Sequence, residues 1–202
     1  MIPKNLHLIW FGDTLPENHE GKINKWKNMG WDVFVWHNET LTYNDTKVTI
    51  NTEITKMLDT FPLAVQKSDV LRLYAVYHFG GVYTDWDFDF VKPIDELLKC
   101  HAFVCREDSR LICNAIFGSV KNSEFLKAQI DLLDEVPNDD KVFGIKIMTD
   151  TVMQNPDIPV VIYPQEYFYP YSWDEKNEDN KNPKVNTYLI HRWAKSWWKK
   201  TL

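Results

Sequence analysis

Three carboxylates alternate along one apolar segment of the sequence: Asp85, Asp87 and Asp89 are separated by Trp86 and Phe88. If the segment is a β-strand, its period of two places all three carboxylates on one face, where like charges repel. Aspartate is also a poor strand former, and a divalent cation with oxygen ligands compensates for both problems. The spacing therefore predicts a metal site; the alternative is a solvated edge strand with a polar face.

A second group of polar residues lies on an otherwise apolar helical segment. Ser68, Asp69 and Arg72 occupy positions i, i+1 and i+4, and charged groups in apolar surroundings need partners. Asp69 and Arg72 are three residues apart, so one interpretation is that they pair with each other on the helix. The functional interpretation is that Arg72 faces a phosphate group and Asp69 faces a hydroxyl group of a ligand.

The balance of charge indicates how a phosphate-bearing ligand would be bound. The chain has 23 Lys and Arg against 29 Asp and Glu, a net charge of -6, and it lacks the broad basic surface that nucleic acids need. We therefore predict no nucleic-acid partner. A phosphorylated small molecule would require local counter-charge, either from a few basic side chains or from a metal ion.

The length and composition are those of one globular domain. The chain has 202 residues, 44% hydrophobic and 26% charged, and we assign residues 1–202 to a single domain. Its three cysteines lack paired C-x-x-C spacing, which argues against a disulfide framework or a zinc site. Because no apolar run reaches the roughly 18 residues that span a bilayer and no signal peptide is visible, we predict a cytoplasmic protein without a transmembrane segment.

The elements that must position the polar residues alternate between strands and helices. Segments 6–10 and 31–36 are predicted strands, and 62–79 is the longest predicted helix, ended by Gly80 and Gly81. This alternation predicts an α/β fold with a mixed, mostly parallel central sheet flanked by helices. The other predicted strands are 82–91, 102–105, 111–117 and 160–163, and the other predicted helices are 23–29, 94–98, 123–133 and 146–153.

Four segments depart from this alternation. Residues 37–52 are polar and turn-rich, and residues 174–184 are charged and predicted to form a mobile surface loop. The aromatic-rich segment 167–173 either lines a binding site or covers the sheet. The tail, 188–202, returns to order with a predicted strand and a cluster of tryptophans.

The helix and the carboxylate segment together resemble a known compound motif. Lys67-Ser-Asp-Val-Leu-Arg72, followed by Tyr77-His-Phe-Gly-Gly-Val-Tyr-Thr-Asp-Trp-Asp87, resembles the Ser-Asp-x-x-Arg … Gly-Gly-Val-Tyr-x-Asp-x-Asp signature of the DXD-containing sugar transferases. That family includes capsular-polysaccharide glycosyltransferases, fungal initiating mannosyltransferases and, more distantly, the glucosyltransferase domains of large clostridial toxins. The opening Ile2-Pro-Lys-Asn-Leu-His-Leu-Ile-Trp-Phe-Gly12 and the closing His191-Arg-Trp-Ala-Lys-Ser-Trp197 are also similar to family motifs.

The resemblance implies a single domain of the GT-A, Rossmann-like fold. It implies a glycosyltransferase that retains anomeric configuration, takes a nucleotide-sugar donor, with a UDP-sugar expected, and serves polysaccharide biosynthesis. The acceptor would be a glycan, a lipid-linked molecule or a protein. The implied cofactor is Mn²⁺ or Mg²⁺, which would bridge the aspartates of the motif and the donor diphosphate.

The positions that match the family motif carry implied roles. Asp85, Asp87 and Arg72 are the implied catalytic residues, and the two aspartates are also the implied metal ligands. The implied donor-binding residues are Trp10 on the nucleobase, Ser68, Asp69 and Arg72 on the ribose, sugar or phosphate, Tyr83 beside the diphosphate, Asp85 on donor hydroxyls, and Asn114 near the donor sugar.

The C-terminal tail is predicted to close the active site. Two aspartates and two phosphate oxygens leave a roughly octahedral ion short of ligands, and His191 would supply a further one. Ser196 and Trp197 would order over the diphosphate and exclude water. The alternative is that Trp193, Trp197 and Trp198 anchor the tail to the core and His191 is merely nearby.

Two other functions compete with this interpretation. Phosphatases of the haloacid-dehalogenase type also carry Asp-x-Asp after a strand, but they favour Thr or Val next, where Phe88 stands here. A non-catalytic nucleotide-sugar or glycan-binding module is the second alternative, and it would be expected to lack a complete metal site.

Overall fold

The computed structural model describes residues 1–44, 46–133, 143–175 and 182–194. These residues form an eight-stranded sheet, a separate two-stranded sheet and five α-helices. The strands are β1 (Asn5–Trp10), β2 (Asp32–His37), β3 (Thr40–Tyr43), β4 (Thr46–Thr49), β5 (Gly81–Thr84), β6 (Phe88–Phe90), β7 (Ala102–Arg106), β8 (Ile112–Ser119), β9 (Val161–Tyr163) and β10 (Leu189–His191). The helices are α1 (His19–Lys27), α2 (Thr52–Leu58), α3 (Ala64–Phe79), α4 (Glu124–Asp131) and α5 (Phe143–Gln154), with 3₁₀ helices at Asp95–Leu98 and Gln165–Tyr167.

The main sheet has the strand order β4-β3-β2-β1-β5-β8-β7-β9. Its centre is parallel, because β1 pairs in parallel with both β2 and β5, and β7 pairs in parallel with β9. The strands β3, β4 and β8 join their neighbours in antiparallel pairs. The mixed α/β sheet flanked by helices is confirmed. Among the described strands of this sheet four pairings are antiparallel and three parallel, and short hairpin connections impose three of the antiparallel pairs, β2–β3, β3–β4 and β7–β8.

The segment 37–52 is more ordered than the sequence predicts. It contributes β3 and β4, which extend the sheet beyond β2, and the rings of Phe34 and Tyr43 stack across the β2–β3 pair with centroids 4.3 Å apart. The side chain of Asn51 then caps α2 by accepting from the backbone N–H of Glu53 at 2.8 Å. These elements were not predicted because such threonine-rich strands lack the clear apolar alternation of a half-buried strand.

The longest helix, α3, ends where the sequence predicts. Gly80 has a φ of 66°, and its N–H donates to the carbonyl of Val76 at 2.8 Å. Gly81 follows with a φ of 115°, and a Cβ atom there would lie 2.2 Å from the carbonyl oxygen of Asn5 on the neighbouring strand. The two glycines therefore let the chain turn from α3 straight into the centre of the sheet. None of the helices in the described ranges combines the length and hydropathy needed to cross a bilayer.

The carboxylate segment is broken, and the continuous strand predicted over 82–91 is wrong. The strand β5 stops at Thr84, the chain turns through Asp85 to Asp87, and β6 leaves the main sheet to pair with β10. Trp86 explains the break, because its side chain is buried and its Nε1 donates to the carbonyl of Ile9 at 2.9 Å. The alternation on one face that was predicted for the three carboxylates is therefore absent.

Two apolar layers cover the main sheet, one on each face. Alternate residues of β2 show the division, since Val33 and Val35 pack in one layer, and Phe34 and Trp36 pack in the layer beneath α3, α4 and α5. The aromatic-rich segment 167–173 lies in the first layer, where Phe168, Tyr169 and Tyr171 are buried, so it covers the sheet. Of the loop predicted at 174–184, residues 176–181 lie outside the described residues, as do residues 195–202 of the predicted tail.

Candidate active site

The polar residues singled out in the sequence meet at one edge of the main sheet. The strands β1 and β5 end there with Trp10 and Thr84, and the antiparallel strand β8 begins there with Ile112. The backbone N–H of Asp85 donates to the carbonyl of Ala115 on β8 at 2.8 Å, which holds the start of the turn against the sheet. Side chains from β5, β8, α3 and β10 therefore converge at this edge.

Asp85, Asp87 and His191 form a compact group that we call the Asp–Asp–His cluster. Each residue offers one ligand atom, and these atoms all lie within 4.8 Å of one another. The Nε2 atom of His191 lies 3.1 Å from an Asp87 carboxylate oxygen and 3.8 Å from an Asp85 carboxylate oxygen. The pairing of β10 with β6 places His191 opposite Phe88 and so brings the imidazole to the turn.

The two aspartates of the cluster differ in their electrostatic surroundings. Burial alone would raise the pKa of Asp87, but the His191 imidazole and the backbone N–H of Ala194, which donates at 2.7 Å, lower that pKa to about 2. Burial raises the pKa of Asp85, and the charge of Asp87 raises it further, against the opposing effect of Arg72. Asp87 is therefore firmly ionised, while Asp85 gains from any cation placed beside it.

Asp89 does not join the cluster. Its carboxylate pairs with Arg192 at 2.7 Å, and Lys22 lies 3.8 Å away. The prediction that all three alternating carboxylates share one face is thus wrong for Asp89, because the break after Thr84 changes the direction of the chain. The turn brings Asp85 and Asp87 to His191. Asp89 instead forms an ion pair between β6 and the residue that follows β10.

Arg72 is buried and connects the helix to the cluster. Its guanidinium lies 2.9 Å from Asp69 and 3.6 Å from Asp85, and it donates to the carbonyl of Asn114 at 2.9 Å. It also donates to the backbone carbonyl and the hydroxyl of Ser68, both at 3.2 Å. Burial acts to lower the pKa of Arg72, but Tyr83, Asp69 and Asp85 keep it above its ordinary value. The pairing of Asp69 with Arg72 is therefore present, and the pair extends into the cluster.

Asp69 is surrounded by donors from three elements. Besides Arg72, the side-chain amide of Asn114 donates to it at 2.8 Å, and the backbone N–H of Gly144 at the start of α5 donates to it as well. Burial raises the pKa of Asp69 to about 6, against the opposing attraction of Arg72, so the carboxylate stays mostly ionised at neutral pH. Its side chain holds Arg72 and Asn114 in place; contact with a ribose or sugar stays a prediction.

The other predicted donor-binding residues occupy different environments. Tyr83 is buried, donates its hydroxyl hydrogen to Asp85, and lies with its ring 4.4 Å from the guanidinium of Arg72. Trp10 is half-buried at the end of β1, and its Nε1 has no hydrogen-bond partner among the described residues. Their contacts with a donor stay predictions. Ser196 and Trp197 lie outside the described residues.

Two backbone groups of the site were not predicted. The N–H of Ala194 holds Asp87, and the N–H of Gly144 holds Asp69. Backbone donors carry no signature in residue type, so only the proximity created by the fold reveals them. Gly144 does leave one trace, because a Cβ atom there would lie 2.2 Å from the Asn114 amide nitrogen and 2.6 Å from an Asp69 carboxylate oxygen.

Replacing Gly144 with alanine should therefore damage the site. The added Cβ would push Asp69 and Asn114 away from Arg72, and we expect turnover of a donor sugar to fall by at least about 10-fold. Overpacking of this kind should also lower the free energy of unfolding by about 1 to 3 kcal/mol, measured by urea denaturation.

A matched control for that variant is Gly21→Ala. Gly21 also lies in a helix, α1, and a Cβ atom there meets nothing within 4 Å. The control should keep wild-type turnover and gain up to about 1 kcal/mol of stability. Equal turnover in the two alanine variants would contradict the assigned role of Gly144.

Two solved structures share this fold. The PaToxG glycosyltransferase superposes with a TM-score of 0.55 at 19% identity, covering 76% of this chain and 70% of that one. A glycosyltransferase involved in the glycosylation of the major capsid of PBCV-1 superposes with a TM-score of 0.52 at 12% identity, covering 96% and 95% of the two chains. At these identities the likeness establishes the fold, which is GT-A.

The sheet edge with its DXD turn and the GT-A fold define the class of protein. The family model described as "Glycosyltransferase sugar-binding region containing DXD motif" matches residues 16–104. This match covers under half of the chain, and it confirms the resemblance to DXD-containing glycosyltransferases that was drawn from the motifs. The GT-A fold contradicts the haloacid-dehalogenase alternative.

The proteins to which this chain is similar include fungal mannosyltransferases. Inositol phosphoceramide mannosyltransferase 1 of Schizosaccharomyces pombe is 28% identical over 110 residues, which make up 51% of this chain and 33% of that protein. The chain spans 33% to 39% of the length of the first curated relatives that it matches.

Proposed function

We propose that this chain transfers a sugar from a nucleotide-sugar donor to a hydroxyl group of an acceptor, using a divalent cation held by the Asp–Asp–His cluster. The observation that carries the proposal is the convergence of Asp85, Asp87 and His191, with ligand atoms within 4.8 Å, at the DXD turn of a GT-A fold. The acceptor, a glycan, a lipid-linked molecule or a protein, belongs to the same proposal.

The residues present fit a hard or borderline divalent cation. Two carboxylates and one imidazole suit Mn²⁺, which accepts oxygen and nitrogen ligands. Mg²⁺ prefers oxygen ligands, so the two carboxylates would be its main ligands. The charges fit as well, because the three carboxylates of Asp69, Asp85 and Asp87 and the single guanidinium of Arg72 leave two negative charges at the site. When bound, such an ion neutralises the diphosphate of the donor and so makes the nucleotide a better leaving group.

The protein's own residues would hold the donor and shape its surroundings. Arg72 is fixed by Asp69 and the carbonyl of Asn114, so its guanidinium is oriented before a ligand arrives. Tyr83 and Arg72 pack on each other beneath Asp85, which keeps that carboxylate at the edge of the sheet. A preorganised charged group at the reacting end is worth more than a mobile one, because no reorganisation is needed during the reaction.

The sugar and the nucleotide are the finer part of the proposal. A UDP-sugar is the donor implied by the motif resemblance, and the name of the fungal relative adds mannose as a second candidate for the sugar. Retention of anomeric configuration is proposed on the same resemblance. The assay below also distinguishes Mn²⁺ from Mg²⁺ as the cation.

The proposal is tested with a panel of donors. UDP-glucose, UDP-galactose, UDP-N-acetylglucosamine and GDP-mannose are each added with Mn²⁺, with Mg²⁺ and without metal, and thermal unfolding and release of the nucleotide are measured. A donor present at 100 times its dissociation constant should stabilise the protein by about 2.7 kcal/mol. We expect one donor to stabilise only with a divalent cation and to be hydrolysed slowly.

The panel separates the competing functions. Stabilisation by a donor that is neither hydrolysed nor transferred to any added hydroxyl compound would favour the non-catalytic nucleotide-sugar-binding module. If no donor stabilised the protein or lost its sugar, the proposed function would be wrong.

A further inference from the structure

Two buried polar atoms near the Asp–Asp–His cluster have no hydrogen-bond partner among the described residues. They are Nδ1 of His191 and the Oε2 atom of Glu107. Buried polar atoms in native proteins are nearly always partnered, so each such atom requires an explanation. The strand register and the contacts of Tyr169 place both residues on the same side of the main sheet.

The strand register places Glu107 at the same sheet edge as the cluster. The strand β7 ends at Arg106, which pairs with Ile112 at the start of β8, and the N–H of Glu107 donates to the carbonyl of Leu111 at 2.9 Å. Glu107 shares a face of the sheet with Cys105, two residues earlier. Because Cys105 lies opposite Cys113 and both belong to the layer that holds His191's strand, Glu107 faces that layer too.

Tyr169 bridges this face of the sheet and His191. Its ring centroid lies 5.6 Å from the imidazole in an edge-on arrangement, and the N–H of His191 donates to the carbonyl of Phe168 at 3.0 Å. The thiol of Cys113 lies against both the Tyr169 hydroxyl and the Glu107 carboxylate. Burial raises the pKa of Glu107, and Cys113 and His191 act on it in the opposite direction, which places the imidazole within electrostatic reach.

The unpartnered atoms of His191 and Glu107 are chemically complementary. The Nε2 atom of His191 faces Asp87 at 3.1 Å, so an imidazole that binds a cation there carries its hydrogen on Nδ1. Aromatic rings enclose the rest of the imidazole: the ring centroid of Phe88 lies 4.7 Å from that of His191, and the ring centroid of Trp193 lies 4.2 Å from it. An ionised carboxylate accepts hydrogen bonds and donates none, which is what a buried Nδ1–H requires.

We propose that Glu107 is a positioning residue for His191 and accepts the hydrogen bond of Nδ1–H, directly or through one buried water molecule, when a divalent cation occupies the cluster. A metal-bound histidine commonly donates its second nitrogen to a carboxylate, which fixes the ring and makes it a better ligand. The inference rests on the proposed metal site, and it adds a residue from the β7–β8 turn that lies outside every recognised motif of this chain.

Titration calorimetry of the full chain with MnCl₂ tests the inference. Glu107→Leu removes the acceptor and Glu107→Gln keeps a weaker one, so we expect Mn²⁺ affinity to fall about 10- to 100-fold in the leucine variant and less in the glutamine variant. The melting temperature of the metal-free protein should be unchanged or higher in both, because a buried carboxylate oxygen without a hydrogen-bond partner is removed. Glu39→Gln, in the exposed turn between β2 and β3, is the control and should bind Mn²⁺ as the wild type does.

A double-mutant cycle shows whether Glu107 acts through His191. In a His191→Ala background, Glu107→Leu should cause no further loss of Mn²⁺ affinity. Wild-type affinity in Glu107→Leu, or a full additional loss in the double variant, would overturn the inference. Where Glu107→Leu folds poorly, the glutamine variant decides, and its affinity must fall.

The outcomes also separate this inference from the proposed function. Binding of Mn²⁺ that is lost in Asp87→Asn but unchanged in both Glu107 variants would reject only the role of Glu107. An absence of Mn²⁺ binding by the wild type would reject both.

Discussion

Replacement of Asp87 by asparagine is expected to abolish Mn²⁺-dependent hydrolysis of the donor sugar, with a fall in turnover of about 100-fold or more. The asparagine side chain would match that of Asp87 in size but lack the charge, which His191 and the N–H of Ala194 stabilise in the wild type. The fold should survive, because the change also relieves the repulsion between Asp85 and Asp87. Nucleotide release, followed over time at saturating Mn²⁺, measures the effect.

Asp89→Asn is the matched control for that variant. Asp89 belongs to the same run of alternating carboxylates but pairs with Arg192 instead of joining the cluster. Its amide variant should retain turnover within a few-fold of the wild type. Equal losses of turnover in the two variants would show that the carboxylates support the structure of the segment and do not form a metal site.

Replacement of Arg72 by lysine is expected to give the second largest effect. The guanidinium reaches Asp69, Asp85 and the carbonyl of Asn114 at once, and a lysine ammonium lacks the planar fork that spans them. We expect turnover per folded molecule to fall by about 100-fold, because the group that would face the donor is no longer oriented. Because the carbonyl of Asn114 would lose its buried donor, the free energy of unfolding should also fall by about 1 to 3 kcal/mol.

Arg192→Lys is the matched control, because it replaces another arginine near the site that does not contact Asp69 or Asp85. Arg192 makes a close ion pair with Asp89 on β6, and lysine is able to keep that pair. Its turnover and stability should stay close to those of the wild type. A stability loss in Arg72→Lys with unchanged turnover of the folded fraction would mean that Arg72 only supports the fold.

The helices and central strands of this fold are predictable from the sequence because their signals are local. The helix α3 carries a long apolar pattern and ends in Gly80 and Gly81, and Ser123 caps α4 by accepting from the N–H of Leu126. The outer strands β3 and β4 and the short helix α2 were not predicted, because polar peripheral elements are stabilised by neighbours and not by their own pattern.

The proximity of Asp85 and Asp87 was predicted for a reason that the structure does not support. Alternation in a strand was expected to place Asp85 and Asp87 on one face, but a turn brings them together, and Trp86 stabilises that turn by burying its ring. His191 was predicted from coordination chemistry, and it does lie at the pair. Glu107 was not predicted, since its place depends on β7 packing beside β8 and on Tyr169, contacts that no local pattern reveals.

The Asp–Asp–His cluster joins two sheets that share no strand pairing in the described part of the chain. Asp85 follows the central strand β5, whereas His191 ends β10, which pairs with β6. A ligand bound between them would cross-link the last described strand to the middle of the molecule, so its binding free energy would add to the docking of that strand. Departure of the ligand and loosening of β10 then form one coupled equilibrium, in which the occupant of the site sets how long that strand stays docked.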